Sequence, residues 1–180
     1  MLKVNKKNSI LDQLNRNQNI VVICNSEYYE KTMIDLHKAV SKKFKICMIT
    51  IHKSFPALIK KFKEQGIDYS NYCFIDCISV ENSKVKDSEQ CIYTPSPVAL
   101  TELAIAVTKM RQMHKTDLII LDNISSMLIY NKEPTVLRFL NFMMAKVRKA
   151  ETKAIYLILK ESRKEIVADL TLFADAVIES

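Results

Sequence analysis

The chain has 180 residues, 48% of them hydrophobic, and a formal net charge of +7. That length and apolar share suffice for one packed domain and exclude a disordered or fibrous chain. No apolar run approaches the roughly 20 residues that span a bilayer, and the first 18 residues lack the apolar stretch of a signal peptide, so a soluble cytoplasmic protein is expected.

Residues 1–18 are polar and rich in Asn and Lys. Ile10, Leu11 and Leu14 predict a short helix, an extension ahead of a domain over 19–180. Residues 19–25 form a continuous apolar run of strand length, as in a parallel sheet covered on both faces. A helix follows with Tyr29, Met33, Leu36 and Val40 on one face, then a second strand over 45–51. Ser54 and Pro56 open a helix that turns Leu58, Ile59 and Phe62 inward and ends at Gly66. A third strand over 72–79 leads into a long polar stretch, 80–95, read as either a small hairpin or a mobile functional loop. Ser96 and Pro97 predict the next helix start, with Leu100, Leu103, Ala104, Val107 and Met110 as its apolar stripe. A strand over 117–123, a helix over 135–150 and a strand over 153–159 follow. Ser162 and Glu165 have the spacing of a capping box for a last helix, and 175–179 closes the chain as a short strand. Strands alternating with helices predict a three-layer α/β/α domain with a mainly parallel sheet.

The turn after the first strand has the position and spacing of a P-loop, G-x-x-x-x-G-K-[ST], whose backbone N–H groups curl around phosphates. Here Asn25 and Glu30 stand at the two glycine positions, followed by Lys31 and Thr32. Asn25 can imitate glycine in the left-handed region, whereas Glu30 does so only under strain. Glu27 and Glu30 are expected in or beside the first helical turn, where they would occupy the place an anion prefers. The chain has one glycine, Gly66, which leaves little scope for a backbone-built phosphate site elsewhere. Its five cysteines are an odd number, three of them inside apolar strand-like runs, which suits reduced core residues. Cys73 and Cys77 have no second pair beside them, so no metal site is expected.

The order of elements resembles the archaeal KaiC-like branch of the RecA-type ATPases. The likeness rests on SPVALTELAIAVTKM (96–110), DLIILDNISSMLIYN (117–131) and FADAVIE (173–179). It implies a RecA-like, P-loop NTPase-type core. It also places Asp122, followed by Asn123, Ile124, Ser125 and Ser126, at the Walker B position that helps hold magnesium. Where such ATPases carry an acidic pair after the second strand to activate water, this chain has His52 and Lys53. Hydrolysis depends on positioning that water, so the expected function is non-catalytic: a regulatory or scaffolding module with no cofactor and no catalytic residue. Its expected partner is a protein, either a KaiC-like ATPase or a second copy. The alternative is a weak ATP-binding protein or slow ATPase, using ATP and Mg at Lys31, Thr32 and Asp122.

Two surfaces could carry such a function. Between Leu36 and Lys63 stand eight lysines (Lys38, Lys42, Lys43, Lys45, Lys53, Lys60, Lys61 and Lys63) and no acid after Asp35. In the strand order the resemblance implies, the second strand is a sheet edge that these lysines would wrap, shielding it from pairing or meeting an acidic partner. A basic nucleic-acid-binding module is the third reading, ranked below the others because no groove-reading motif is present. The second surface lies on the helix over 135–150, where Phe139 and Phe142 fall outside a stripe already filled by Val136, Leu137, Leu140, Met143, Met144 and Val147. They are candidates for an assembly surface.

Overall fold

The computed structural model describes residues 9–80, 85–162 and 164–180. Among the described residues seven strands make one sheet: β1 (Asn19–Cys24), β2 (Ile46–Thr50), β3 (Tyr72–Asp76), β4 (Cys91–Tyr93), β5 (Leu118–Asp122), β6 (Lys153–Leu159) and β7 (Ala176–Glu179). Their order is β4-β3-β2-β5-β6-β1-β7, and every pairing is parallel. The helices are α1 (Ile10–Arg16), α2 (Tyr29–Val40), α3 (Phe55–Glu64), α4 (Leu100–His114), α5 (Ile124–Tyr130), α6 (Glu133–Lys149) and α7 (Lys164–Phe173).

Alternation along each strand divides the core into two layers even where the sequence is uniformly apolar. In β1, Ile20 and Val22 pack with Met33, Leu36 and Val40 of α2 and with Leu58 and Phe62 of α3. Val21 and Ile23 face the opposite layer, formed with Leu103 and Val107 of α4, Leu140 and Met144 of α6, and Ile166 and Leu170 of α7. The architecture is therefore α/β/α, as the alternation of elements predicts. Leu14 of α1 is fully buried in the layer it shares with α2. Residues 1–8 of the expected extension lie outside the described residues.

Several local expectations change. β2 is not an edge strand, because β3 pairs on one side of it and β5 on the other; the edges are β4 and β7. The 80–95 stretch holds no hairpin among its described residues, since β4 adds in parallel to β3; residues 81–84 lie outside the description. Ser96 and Pro97 form a turn before the helix rather than its first residues: the Ala99 N–H donates to the Ser96 carbonyl at 3.1 Å, and α4 starts at Leu100. α6 starts earlier than 135, with Pro134 in its first turn, where a missing N–H costs least. Ser162 shares a 2.7 Å hydrogen bond with Ser125. Gly66 has φ +65 just past α3, the left-handed terminator expected of it.

Candidate functional site

The turn after β1 is closed rather than looped. Asn25 is extended (φ −69, ψ 145), not left-handed, and Ser26–Tyr28 form a single turn of 3-10 helix that runs into α2. The Tyr28 N–H donates to the Asn25 carbonyl at 3.0 Å and the Tyr29 N–H to the Ser26 carbonyl, so these donors point along the chain. The Ser26 N–H donates to both carboxylate oxygens of Glu161, at 3.1 and 3.2 Å, and its hydroxyl lies 3.1 Å from one of them. These bonds, with that of the Ser26 backbone first, hold the Glu161 carboxyl below its ordinary range. β6 delivers Glu161 to this place. It runs in register beside β1, Cys24 opposite Leu159, and the Lys160 N–H donates to the Cys24 carbonyl at 2.8 Å.

A second cluster joins the carboxyl ends of β2 and β5 to the start of α2. Asp122, buried at the end of β5, accepts a hydrogen bond from the Tyr29 hydroxyl. The same hydroxyl lies 3.1 Å from Nε2 of His52, whose Nδ1 is 4.0 Å from the other Asp122 oxygen. The Lys53 ammonium stands 5.7 Å from the centre of the Tyr29 ring. Burial pushes the Asp122 carboxyl above its usual range, opposed by His52, the Tyr29 hydroxyl and Lys53. Burial, then the charge of Asp122, raises the Tyr29 phenol. Cys24 is pushed up to about 11 by burial and by the charges of Asp122 and Glu161.

The residues at the P-loop spacing disperse. Lys31 is exposed on the first turn of α2. The Thr32 hydroxyl shares a 3.1 Å hydrogen bond with Ser180, just beyond β7. Glu30 is half-exposed and pairs with Lys53 and Lys61. Glu27 and Glu30 lie in the first helical turns as expected, Glu27 exposed and Glu30 paired with two lysines; the acid that accepts from the Ser26 N–H is Glu161. Sequence reasoning missed Ser26, Glu161 and the role of Tyr29. Tyr29 has the spacing of a core position. Glu161 is 135 residues from its partner and becomes visible only once β6 is known to lie beside β1.

The lysines of the basic stretch do not wrap an edge, since β2 is internal. Lys38, Lys42, Lys43, Lys45, Lys60 and Lys63 are exposed on α2, on α3 and at the approach to β2. Lys61 is half-buried and tied to Glu30. The aromatic residues among them are core: Phe62 lies 4.7 Å from the His37 ring and Phe55 5.0 Å from Phe74, ring centre to ring centre. Phe139 is buried in α6, while Phe142, one turn on, is 48% exposed. All five cysteines are buried and unpaired. No group of three metal-ligating side chains occurs among the described residues, and no helix among them is long and apolar enough to cross a membrane.

A family model described as a family of unknown function, DUF7504, matches residues 63–180. The fold is similar to that of a KaiC-like protein, PH0186, from the hyperthermophilic archaeon Pyrococcus horikoshii OT3. The TM-score is 0.65 at 12% identity, over 90% of this chain and 70% of that one. At that identity the likeness shows the fold, RecA/KaiC-like, and nothing further. No curated protein matches the sequence.

Proposed function

We propose a function for this chain, which belongs to the DUF7504 family: it is a non-catalytic RecA/KaiC-like domain that works by binding a protein partner. The observation that carries this reading is the Glu161 carboxylate on the Ser26 N–H and hydroxyl. A phosphate cradle needs backbone donors aimed at the ligand and the positive end of the helix dipole unclaimed. In this turn the Ser26 N–H already holds an anion, and the Tyr28 and Tyr29 N–H groups are turned into the chain.

The acid at the Walker B position is engaged as well. Asp122 is buried under Tyr29 and faces His52, so a magnesium ion would have to displace the tyrosine hydroxyl. The residues as arranged do not fit a magnesium-bound triphosphate. Apolar side chains are exposed near the carboxyl ends of the strands, where a nucleotide site would lie in this fold: Tyr28 before α2, Val98 before α4, and Ile129 and Tyr130 on α5. Exposed apolar groups of this kind suit contact with another protein. A KaiC-like ATPase and a second copy of this chain are the partners that fit the fold.

Release of inorganic phosphate from MgATP by the purified chain tests the reading. It predicts no release above buffer. Release that disappears in both Lys31→Ala and Asp122→Asn would contradict it and support the residual ATPase on Lys31, Thr32 and Asp122.

A further inference from the structure

We propose that the groove between α4 and α6 docks an amphipathic helix whose apolar stripe is flanked by acidic residues. The inference rests on reading the chain as a protein-interaction module, and it names the surface and the chemistry of the partner.

The groove has a volume of about 720 Å³ and is lined by α4 from Leu100 to Gln112 and by α6 from Thr135 to Lys146. At 1.5 Å per residue each wall is roughly 17 Å long, about three turns of a docked helix. Its floor is apolar, built from Ala104 and the buried Phe139. Ile105 on one wall is 62% exposed, and Phe142 on the other is 48% exposed. An apolar trough with exposed anchors on opposite walls suits the helix-in-groove mode, in which side chains at i, i+3 or i+4 and i+7 enter together.

Charge selects the partner. Among the described residues, every charged one lining the groove is a base: Lys109 on α4, Arg138 and Lys146 on α6. The Lys146 ammonium sits 4.9 Å from the centre of the Phe142 ring and donates to the Thr108 hydroxyl at 3.2 Å, so one cation spans the two walls beside the apolar anchor. A helix with Glu or Asp beside its apolar stripe would pair with these bases as it buries Ile105 and Phe142. A lysine-flanked helix would be repelled. The same argument disfavours a symmetric pairing of two copies through this groove, which would bring the basic rims together in a chain that already carries +7.

The test is selection of 16-residue random peptides displayed on phage against the full chain, followed by fluorescence anisotropy of the enriched peptides. Enriched sequences should carry apolar residues at helical spacing with Glu or Asp alongside. Their affinity should fall about tenfold or more in Phe142→Ala, as for a central aromatic anchor, and should weaken in Arg138→Glu and with added salt. Melting curves would verify that both variants stay folded. Enrichment of lysine-flanked peptides, or binding unchanged in both variants, would overturn the proposal. So would loss of peptide binding to a competing single-stranded oligonucleotide, or a dimer in sedimentation that Phe142→Ala dissolves. Failure here with no phosphate release from MgATP would leave the non-catalytic reading standing. Phosphate release with the expected peptides would remove that reading and keep the groove.

Discussion

The Tyr29 hydroxyl lies between an acid from β5 and an imidazole that follows β2, so the first residue of α2 is tied to two other strand ends. If Asp122 serves as the acceptor for that hydroxyl, Asp122→Asn keeps the acceptor and removes a buried charge. Its stability to denaturant should stay within about 1 kcal/mol of wild type. Asp122→Ala leaves the hydroxyl without that acceptor and should cost about 1–3 kcal/mol. His37 makes a separate prediction. It is buried, its Nδ1 is 3.0 Å from the Tyr72 hydroxyl, and burial pushes it down to about 3. An unfolded chain takes up that proton as pH falls through about 6.5, whereas the folded chain does so only near 3. Between those values the unfolded state binds the extra proton, so stability falls as pH is lowered, by up to about 1.4 kcal/mol per unit for this one group. Urea melts at pH 7 and pH 5 should show the decline, and His37→Leu should flatten it. Glu161 has the same sign in a lower window: its pKa is lowered, so its contribution is fully present above the ordinary carboxyl range and is lost as pH falls below it. An NMR titration of the Ser26 amide should have its midpoint below the ordinary Glu value of about 4.3.

At the scale of elements, α6 separates core from surface within one turn. Phe139→Ala empties a buried site and should cost about 3–5 kcal/mol. Phe142→Ala should stay within about 0.5 kcal/mol, because its ring is half in solvent. Paired denaturation curves would distinguish them. The sequence stripe did not make that distinction, since both residues fall beside it. Strands were far more legible than helix ends. β6 covers the residues expected of it, 153–159, because a continuous apolar run bounded by polar residues has one reading. α5 was missed although Asn123 caps it by accepting from the Ser126 N–H at 2.8 Å. Seven residues carry too little periodicity to stand out, and the Ser-rich segment draws the eye to chemistry instead.

The whole molecule decides what the local patterns leave open. The placement of β2 inside the sheet, and of Glu161 against Ser26, follows from strand order. Strand order depends on pairing between elements far apart in sequence, Ile46 of β2 beside Leu118 of β5 and Asn19 of β1 beside Ala154 of β6. A reading along the chain therefore found Asp122 and the departures at Asn25, Glu30, His52 and Lys53. Glu27 and Glu30 stand in the first helical turns, as their place in the sequence implies, whereas Glu161 reaches Ser26 only in space. The central claim is that the domain fills its own phosphate site, and thermal unfolding with and without saturating MgATP tests it most directly. A ligand at 100 times its Kd would add about 2.7 kcal/mol, which for a chain of this size raises the Tm by roughly 5–10 °C. The account predicts the same Tm with and without MgATP; a rise of that size in the wild type, absent in Lys31→Ala, would contradict it.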